Sequence, residues 1–198
     1  MMHTTRIYIF TAAAAVAETA ATLGPAPSDS SRLTFDSVSG LDELHRCVKE
    51  SLRQYPPLIM LMREVHVPLT VPLPGGGSVV VPKGHLVFSS PAVSMNLPDG
   101  SPDAVFPHPE RFDPDRFTPE RAEDKVKPFA YSAFGGGMHG CLGEQFGFLQ
   151  VKTIVSLLLR NFELELVSEM PQPNYKVMVV GPMPGTLVRY KRRTAPLA

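Results

Sequence analysis

The sequence has no tryptophan and has two cysteines among its 198 residues. Two cysteines cannot form the disulfide framework of a small secreted domain. They also argue against a structural zinc site, because such a site needs four ligands. Basic and acidic residues number 19 each, so the zero formal charge excludes the basic field that attracts nucleic acid. The sequence also lacks a run of about 20 apolar residues, so it predicts no membrane anchor within this chain. The length fits a single domain.

Proline is plentiful by contrast, with 21 residues concentrated between Pro56 and Pro128. This density indicates a long ordered meander, because proline fixes φ and has no amide N–H to place in a helix or sheet. The apolar stretch 7–17 predicts an alanine-rich frayed helix, with a weak signal or transit segment as the alternative. A linker rich in proline and serine follows over 24–31. We therefore predict a disordered or frayed extension over 1–32 and a folded part over 33–198.

The strongest functional signal is a cysteine that follows a run of glycines and precedes a long apolar segment. The spacing Phe-x-x-Gly-x-x-x-Cys-x-Gly falls on Phe134, Gly137, Cys141 and Gly143. Glycines let the backbone approach a flat cofactor closely. A helix predicted over 142–160 would direct its N–H groups at the sulfur and stabilise a thiolate. A lone cysteine is more often a small buried residue, and this alternative stays open from the loop alone.

A second signal lies upstream, where Glu50 and Arg53 are three residues apart. Ser39–Asp42 matches a capping box that opens a helix, apolar residues then repeat at helical spacing, and Pro56 ends the pattern. Glu50 and Arg53 therefore share one helix face and can act together on another segment. The plain alternative is an exposed ion pair worth well under ~1 kcal/mol.

Together these motifs resemble the haem-binding region of the cytochrome P-450 family. The family's Phe-x-Pro-x-Arg-Phe pattern is also present, on Phe112, Pro114, Arg116 and Phe117. The resemblance implies that Arg116 completes a buried cluster with Glu50 and Arg53, which fixes the loop next to the haem and has no catalytic role. A second arginine beside the pair gives each guanidinium a hydrogen-bonded role, which a buried charge requires. Arg111 is interpreted as the solvated neighbour.

The resemblance implies haem b as the cofactor, with the Cys141 thiolate as the axial iron ligand. The cofactor-binding residues it implies are Cys141, Phe134, Gly137, Gly143, His139 and Arg63. In the family the positions of Arg63 and His139 pair with haem propionates, through charge-assisted hydrogen bonds. For His139, an ordinary loop residue or one half of a His-x-Cys metal pair are the alternatives.

Within the family, the sequence is similar to sterol 14α-demethylases over about 33–193. The stretches that carry the similarity are 50–63, 150–154, 174–182 and 188–193. The resemblance implies a pocket for a large rigid sterol, and methionine suits such a wall because it fills irregular apolar gaps. The wall residues it implies are Leu58, Met60, Met62, Met178 and Val179. Plain core packing is the alternative for all five.

The implied fold is α+β and mainly helical, and it corresponds to the C-terminal part of the cytochrome P-450 fold. The family's oxygen-activating helix has no counterpart in the sequence, so we assign no catalytic residue and expect weak or absent catalysis by this chain alone. The full enzyme would remove the sterol 14α-methyl group with O2 and electrons from NADPH-cytochrome P-450 reductase, as a monomer at the endoplasmic reticulum membrane. A haem-binding but inactive fragment and a cytochrome P-450 with another substrate are the alternatives.

Strand patterns complete the prediction. They fall at 65–73, 78–81, 85–89, 162–166, 175–180 and 186–191. The first two form a hairpin about the glycines 75–77, and the last two form a hairpin about 181–185.

Overall fold

The computed structural model describes residues 14–23, 33–73 and 75–194. Its helices are α1 (residues 14–23), α2 (Phe35–Ser39), α3 (Asp42–Gln54), α4 (Pro91–Ser94) and α5 (Glu144–Asn161). Its strands are β1 (Leu61–Glu64), β2 (Leu69–Pro72), β3 (Ser78–Val81), β4 (Leu86–Ser89), β5 (Phe162–Leu166), β6 (Pro173–Asn174), β7 (Gly181–Pro182) and β8 (Val188–Arg192). The predicted linker over 24–31 and the apolar stretch before residue 14 lie outside the described residues. Among the helices of the described ranges, none has the length and apolarity to cross a bilayer.

The hydrophobic core joins α1 to the two long helices α3 and α5. Its buried members are Ala15, Leu23, Leu41, Leu44 and Leu159. The sequence predicted a frayed helix before residue 32, whereas residues 14–23 form a helix whose Ala15 and Leu23 are buried. A helix this short is marginal alone, and packing of its apolar face stabilises it. The domain boundary near residue 32 stays a prediction.

Helix α3 begins without a cap from its own sequence. The predicted capping box is wrong, because Ser39 ends α2 and Leu41, at the N-cap position, makes no side-chain hydrogen bond. The acceptor comes from α1, where the Glu18 carboxylate accepts the N–H of Glu43 at 2.7 Å and of Leu44 at 2.9 Å. A carboxylate at this position also interacts favourably with the helix dipole. Glu18 therefore joins α1 to the helix that carries the Glu-x-x-Arg motif.

Replacing Glu18 by alanine removes both acceptors from the start of α3. We expect the free energy of unfolding to fall by about 1–2 kcal/mol, the usual cost of losing a helix cap together with its charge. Urea unfolding followed by circular dichroism measures the change, with the exposed Glu120→Ala as the matched control. An unchanged midpoint for Glu18→Ala would show that this carboxylate does not cap α3.

Two cations of α5 bind the C-terminal ends of the shorter helices. Lys152 Nζ donates to the carbonyl of Ser39 at the end of α2, at 2.7 Å. Arg160 Nη2 donates to the carbonyl of Leu23 at the end of α1, at 3.3 Å. The last carbonyls of a helix lack intrahelical donors, so buried cations there satisfy them and oppose the helix dipole. Burial lowers the pKa of Lys152.

Within the described ranges, the strands form four separate two-stranded antiparallel sheets. The predicted hairpin is formed by β2 and β3, with Leu69 opposite Val81, and its turn uses the positive φ angles of Gly75–Gly77. Strand β4 lies where the sequence predicted a strand, and it pairs with β1, with Leu61 opposite Ser89. The β1 and β4 pair matters for the site because it carries Arg63.

The C-terminal strands pair differently from the prediction. The predicted strand over 175–180 is wrong, because that segment forms turns and bends and β8 pairs with β5 instead. Pro173 and Pro182 have no amide N–H, so the ladder between β6 and β7 is limited to two residues on each side. The N–H of Val180 donates to the carbonyl of Pro57 at 2.9 Å. This bond ties the segment to the chain that leaves α3.

Candidate haem site

The glycine-rich loop places Cys141 just before α5, close to the helix start that the sequence predicted. Gly135 and Gly137 have φ angles of 73° and 62°, in the left-handed region that favours glycine. One turn of 3-10 helix follows over Gly137–His139. The N–H of Cys141 then donates to the carbonyl of Phe134 at 2.9 Å. This hydrogen bond closes the loop and fixes the backbone of the predicted ligand.

The two cysteines lie in opposite environments. Cys141 is exposed, and its neighbour Leu142 is exposed at 104%. Cys47 is half-buried on α3, and its thiol donates to the carboxylate of Glu43 at 3.8 Å. Burial and the adjacent carboxylate raise the pKa of Cys47 to about 12. A thiol with so high a pKa stays protonated and is a poor metal ligand, which leaves Cys141 as the available one.

A hollow of about 250 Å³ opens beside the glycine-rich loop. It is lined by Arg63 from β1 and by Gly135 and Gly136 from the loop, so the structure brings this arginine to the loop. A Cβ on Gly136 would lie 2.5 Å from the ring of Phe129, so an alanine there would have to displace the ring. His139 is exposed in the 3-10 turn. The pairing of Arg63 and His139 with propionates stays a prediction.

Three charged side chains are buried together between α3 and the proline-rich segment. Glu50 and Arg53 are 0% exposed and Arg116 is 1% exposed. Arg53 donates to both carboxylate oxygens of Glu50, at 2.7 and 2.9 Å, and Arg116 Nε donates to Oε1 at 3.2 Å. The N–H of Asp113 reaches the same Oε1 at 3.1 Å. The structure thus brings the three predicted residues into one hydrogen-bonded cluster.

The remaining donors of both buried guanidinium groups bind mainly backbone carbonyls. The acceptors, at 2.5–2.8 Å, are the carbonyls of Met95, Pro107, His108 and Pro109. Arg116 also donates to the carboxylate of Glu123 at 3.0 Å. Buried charged donors are costly unless paired, so these bonds hold the surrounding backbone in one arrangement. The side chain of Arg111 is exposed, in agreement with its interpretation as the solvated arginine.

Lys49, the residue before Glu50, makes contacts that the sequence analysis did not predict. Its Nζ lies 2.7 Å from a carboxylate oxygen of Asp124, 4.7 Å from the ring centre of Phe117 and 4.9 Å from that of Tyr131. The hydroxyl of Tyr131 donates to the carbonyl of Lys49 at 3.0 Å. Burial raises the pKa of Tyr131. Spacing along the sequence does not bring the rings of Phe117 and Tyr131 together, since the two residues are 14 positions apart.

The five predicted pocket-wall residues lie at the surface of the described chain. They are Leu58, Met60, Met62, Met178 and Val179, with exposures between 44% and 88%. The two segments that carry them meet at the hydrogen bond between Val180 and Pro57. Their assignment to a sterol pocket stays a prediction.

The donor set fits a flat iron-carrying macrocycle. In the described ranges, no group of three or more His, Cys, Asp or Glu side chains could hold a metal ion. One protein thiolate suffices for haem, because the porphyrin itself supplies further ligands to the iron. Cys141 is exposed, and Gly135 to Gly137 have no side chains to block a ring plane.

The family model for cytochrome P450 matches residues 21–189. The chain therefore belongs to the cytochrome P450 family, and the predicted family is confirmed.

Three relatives of the chain are 14-demethylases. The chain is 51% identical to the sterol 14-demethylase of Arabidopsis thaliana, 48% to the obtusifoliol 14-alpha demethylase of Triticum aestivum and 38% to the lanosterol 14-alpha demethylase of Homo sapiens. Each match covers 82% of this chain and 32%, 35% and 30% of the respective relative. The chain thus spans about a third of the length of the curated relatives it matches.

The fold is similar to that of a solved cytochrome P450. Retinoic acid-bound cyanobacterial CYP120A1 superposes with a TM-score of 0.77 at 26% identity, over 94% of this chain and 39% of that chain. The predicted fold class, a mainly helical α+β part of the cytochrome P450 fold, is confirmed by this similarity.

Proposed function

We propose that this chain provides the haem-thiolate part of a monooxygenase of the sterol 14α-demethylase type. The observation that carries the proposal is Cys141, an exposed thiol in a loop closed by its own backbone hydrogen bond to Phe134. Bound haem b would supply an iron centre that activates O2. The residues proposed to hold it are Cys141 at the iron, Phe134, Gly137 and Gly143 around the loop, and Arg63 and His139 at the propionates.

The chain's own residues contribute position rather than proton transfer. The hydrogen bond from Cys141 N–H to Phe134 sets where the thiolate lies relative to the loop. The buried Glu50 cluster, through its carbonyl contacts, holds the proline-rich segment against α3. No described residue is assigned a catalytic role.

The proposed substrate is a sterol whose 14α-methyl group is removed oxidatively. Identities of 38–51% to three plant and animal 14-demethylases support this substrate class. One wall of its pocket would be formed by Leu58, Met60, Met62, Met178 and Val179. The redox partner proposed is NADPH-cytochrome P-450 reductase, and the location is the endoplasmic reticulum membrane.

Cys141→Ala should abolish the long-wavelength Soret band of the reduced carbon monoxide complex, because that band requires a thiolate on the iron. The measurement uses the full chain supplied with haem, beside Cys47→Ala as the matched control. Cys47 is the half-buried thiol that is hydrogen-bonded to Glu43, so its loss should leave the band in place.

Two results would contradict the proposal. One is a band that survives in Cys141→Ala, which would place the ligand elsewhere. The other is a soluble, folded chain that takes up no haem. Sterol turnover with reductase is measured in parallel, and a thiolate band without turnover would favour the haem-binding but inactive alternative over the enzyme.

A further inference from the structure

Lys49 connects three parts of the chain that differ widely in sequence position. It belongs to α3, its ammonium group pairs with Asp124 in the proline-rich segment, and it contacts Tyr131 in the run that leads to the ligand loop. The ion pair is largely removed from water, with 18% of the Lys49 side chain and 11% of the Asp124 side chain exposed. An ammonium in such surroundings interacts strongly with both a carboxylate and an aromatic face.

The two rings around Lys49 are packed against each other. Phe117 and Tyr131 meet edge to face, with centroids 5.7 Å apart and planes at 81°. The ammonium lies within 5 Å of both ring centres, inside the range in which a cation is attracted by an aromatic quadrupole. The Tyr131 hydroxyl closes the arrangement by donating to the carbonyl of Lys49. We name Lys49, Phe117, Asp124 and Tyr131 the lysine clamp.

The clamp reaches a part of the site that the Glu50 cluster does not serve directly. Beyond the bonds within the cluster itself, the side-chain hydrogen bonds of Glu50, Arg53 and Arg116 end on residues 95–123. Tyr131 instead lies three positions before Phe134, whose carbonyl accepts the N–H of Cys141. The clamp therefore joins α3 directly to the segment that leads into the loop closing on the ligand.

We propose that Lys49 is a positioning residue for the thiolate loop, acting through Tyr131 and Asp124 on the segment that precedes Phe134. Its importance for haem rests on the proposed function of Cys141, whereas its effect on the loop backbone does not. Lys49 touches neither the ligand nor the proposed substrate wall. The proposal therefore predicts a local change in the loop that exceeds any change in the rest of the fold.

The first test is amide hydrogen exchange of the full chain without added haem. Lys49→Met keeps the length of the side chain and removes the charge, and we expect exchange over residues 131–141 to accelerate by about tenfold or more. Amides of α5 beyond residue 150 should change far less. Lys127→Met removes an exposed lysine paired with Asp103 and should leave the loop unchanged.

The second test is the reduced carbon monoxide spectrum of the haem-loaded chain. We expect Lys49→Met to lower the fraction of the long-wavelength band relative to the short-wavelength band by roughly threefold or more, because a displaced loop weakens thiolate ligation. Lys49→Arg retains a cation for the rings and the carboxylate and should restore most of that fraction. A purely structural lysine would change haem retention without moving the ratio.

Several outcomes decide the proposal. Exchange that accelerates evenly over the whole chain, or a loop that exchanges at the parent rate in Lys49→Met, would overturn it. If Lys49→Met does not fold, Tyr131→Leu and Asp124→Asn remove the partners instead, and each should accelerate exchange over 131–141. If the parent chain itself shows no thiolate band, the proposed haem function fails, and the exchange experiment still decides whether Lys49 positions the loop.

Discussion

Glu50→Ala is expected to lower the free energy of unfolding by about 3–5 kcal/mol, a large part of what a domain of this size has. The carboxylate is the shared acceptor of two guanidinium groups and of the N–H of Asp113. Without it, Arg53 and Arg116 are buried like charges, and Glu123 is the counterion that the described residues still provide. Water cannot easily take the place of the carboxylate, because Glu50 is completely buried.

The measurement is chemical unfolding of the full chain, with Glu110→Ala as the matched control. Glu110 pairs with Arg111 at 3.7 Å on the surface, and exposed pairs of this kind contribute at most about 1 kcal/mol. Equal effects of Glu50→Ala and Glu110→Ala would contradict the buried cluster.

Arg111 and Arg116, both in the proline-rich segment, give an independent check of the same cluster. Arg116→Ala leaves the carbonyls of Pro107 and His108 without their buried donor, and Arg111→Ala removes an exposed side chain. We expect the first to be strongly destabilising and the second to stay within about 0.5 kcal/mol of the parent. The reverse order would show that Arg111, and not Arg116, completes the cluster.

The parts of this site that could be predicted are those in which residue type and spacing carry the chemistry. Cys141 with its glycines, and Glu50 with Arg53, are short-range patterns whose geometry follows from one loop and one helix turn. Arg116 could be added because the family pattern around it is also local. The structure brings Glu50, Arg53 and Arg116 together, since each of these three side chains has a charge that must be neutralised when buried.

The parts that could not be predicted depend on contacts between distant segments. Glu18 caps α3 from 25 positions away, and Lys152 binds the end of α2 from 113 positions away. Both residues look like ordinary surface charges in the sequence, because nothing local shows that a helix end will be buried beside them. The error in the predicted C-terminal hairpin has the same origin. Strand β8 pairs with the distant β5, and the nearer segment 175–180 forms no strand because the prolines that flank it have no N–H to donate.

Leu23→Ala is expected to destabilise the chain by about 2–5 kcal/mol, the usual cost of truncating a buried leucine. Leu23 is 1% exposed and belongs to the same core as Leu41, Leu44 and Leu159. The result bears on where the folded part begins, since a frayed extension over 1–32 would tolerate this change. The measurement is urea unfolding followed by circular dichroism, with the exposed Leu187→Ala as the matched control.

The interpretation of this experiment follows from how α1 is held. Leu23 packs into the core, its carbonyl accepts a hydrogen bond from Arg160, and Glu18 one turn earlier caps α3. Loss of the leucine should therefore loosen the cap as well. The double variant of Leu23→Ala and Glu18→Ala should then lose less unfolding free energy than the two single variants lose together. An additive double variant would mean that packing and capping by α1 are independent. A Leu23→Ala chain as stable as the parent would return residues 14–23 to the extension, and the helix that carries Glu50 and Arg53 would then be held by α5 and the proline-rich segment without α1.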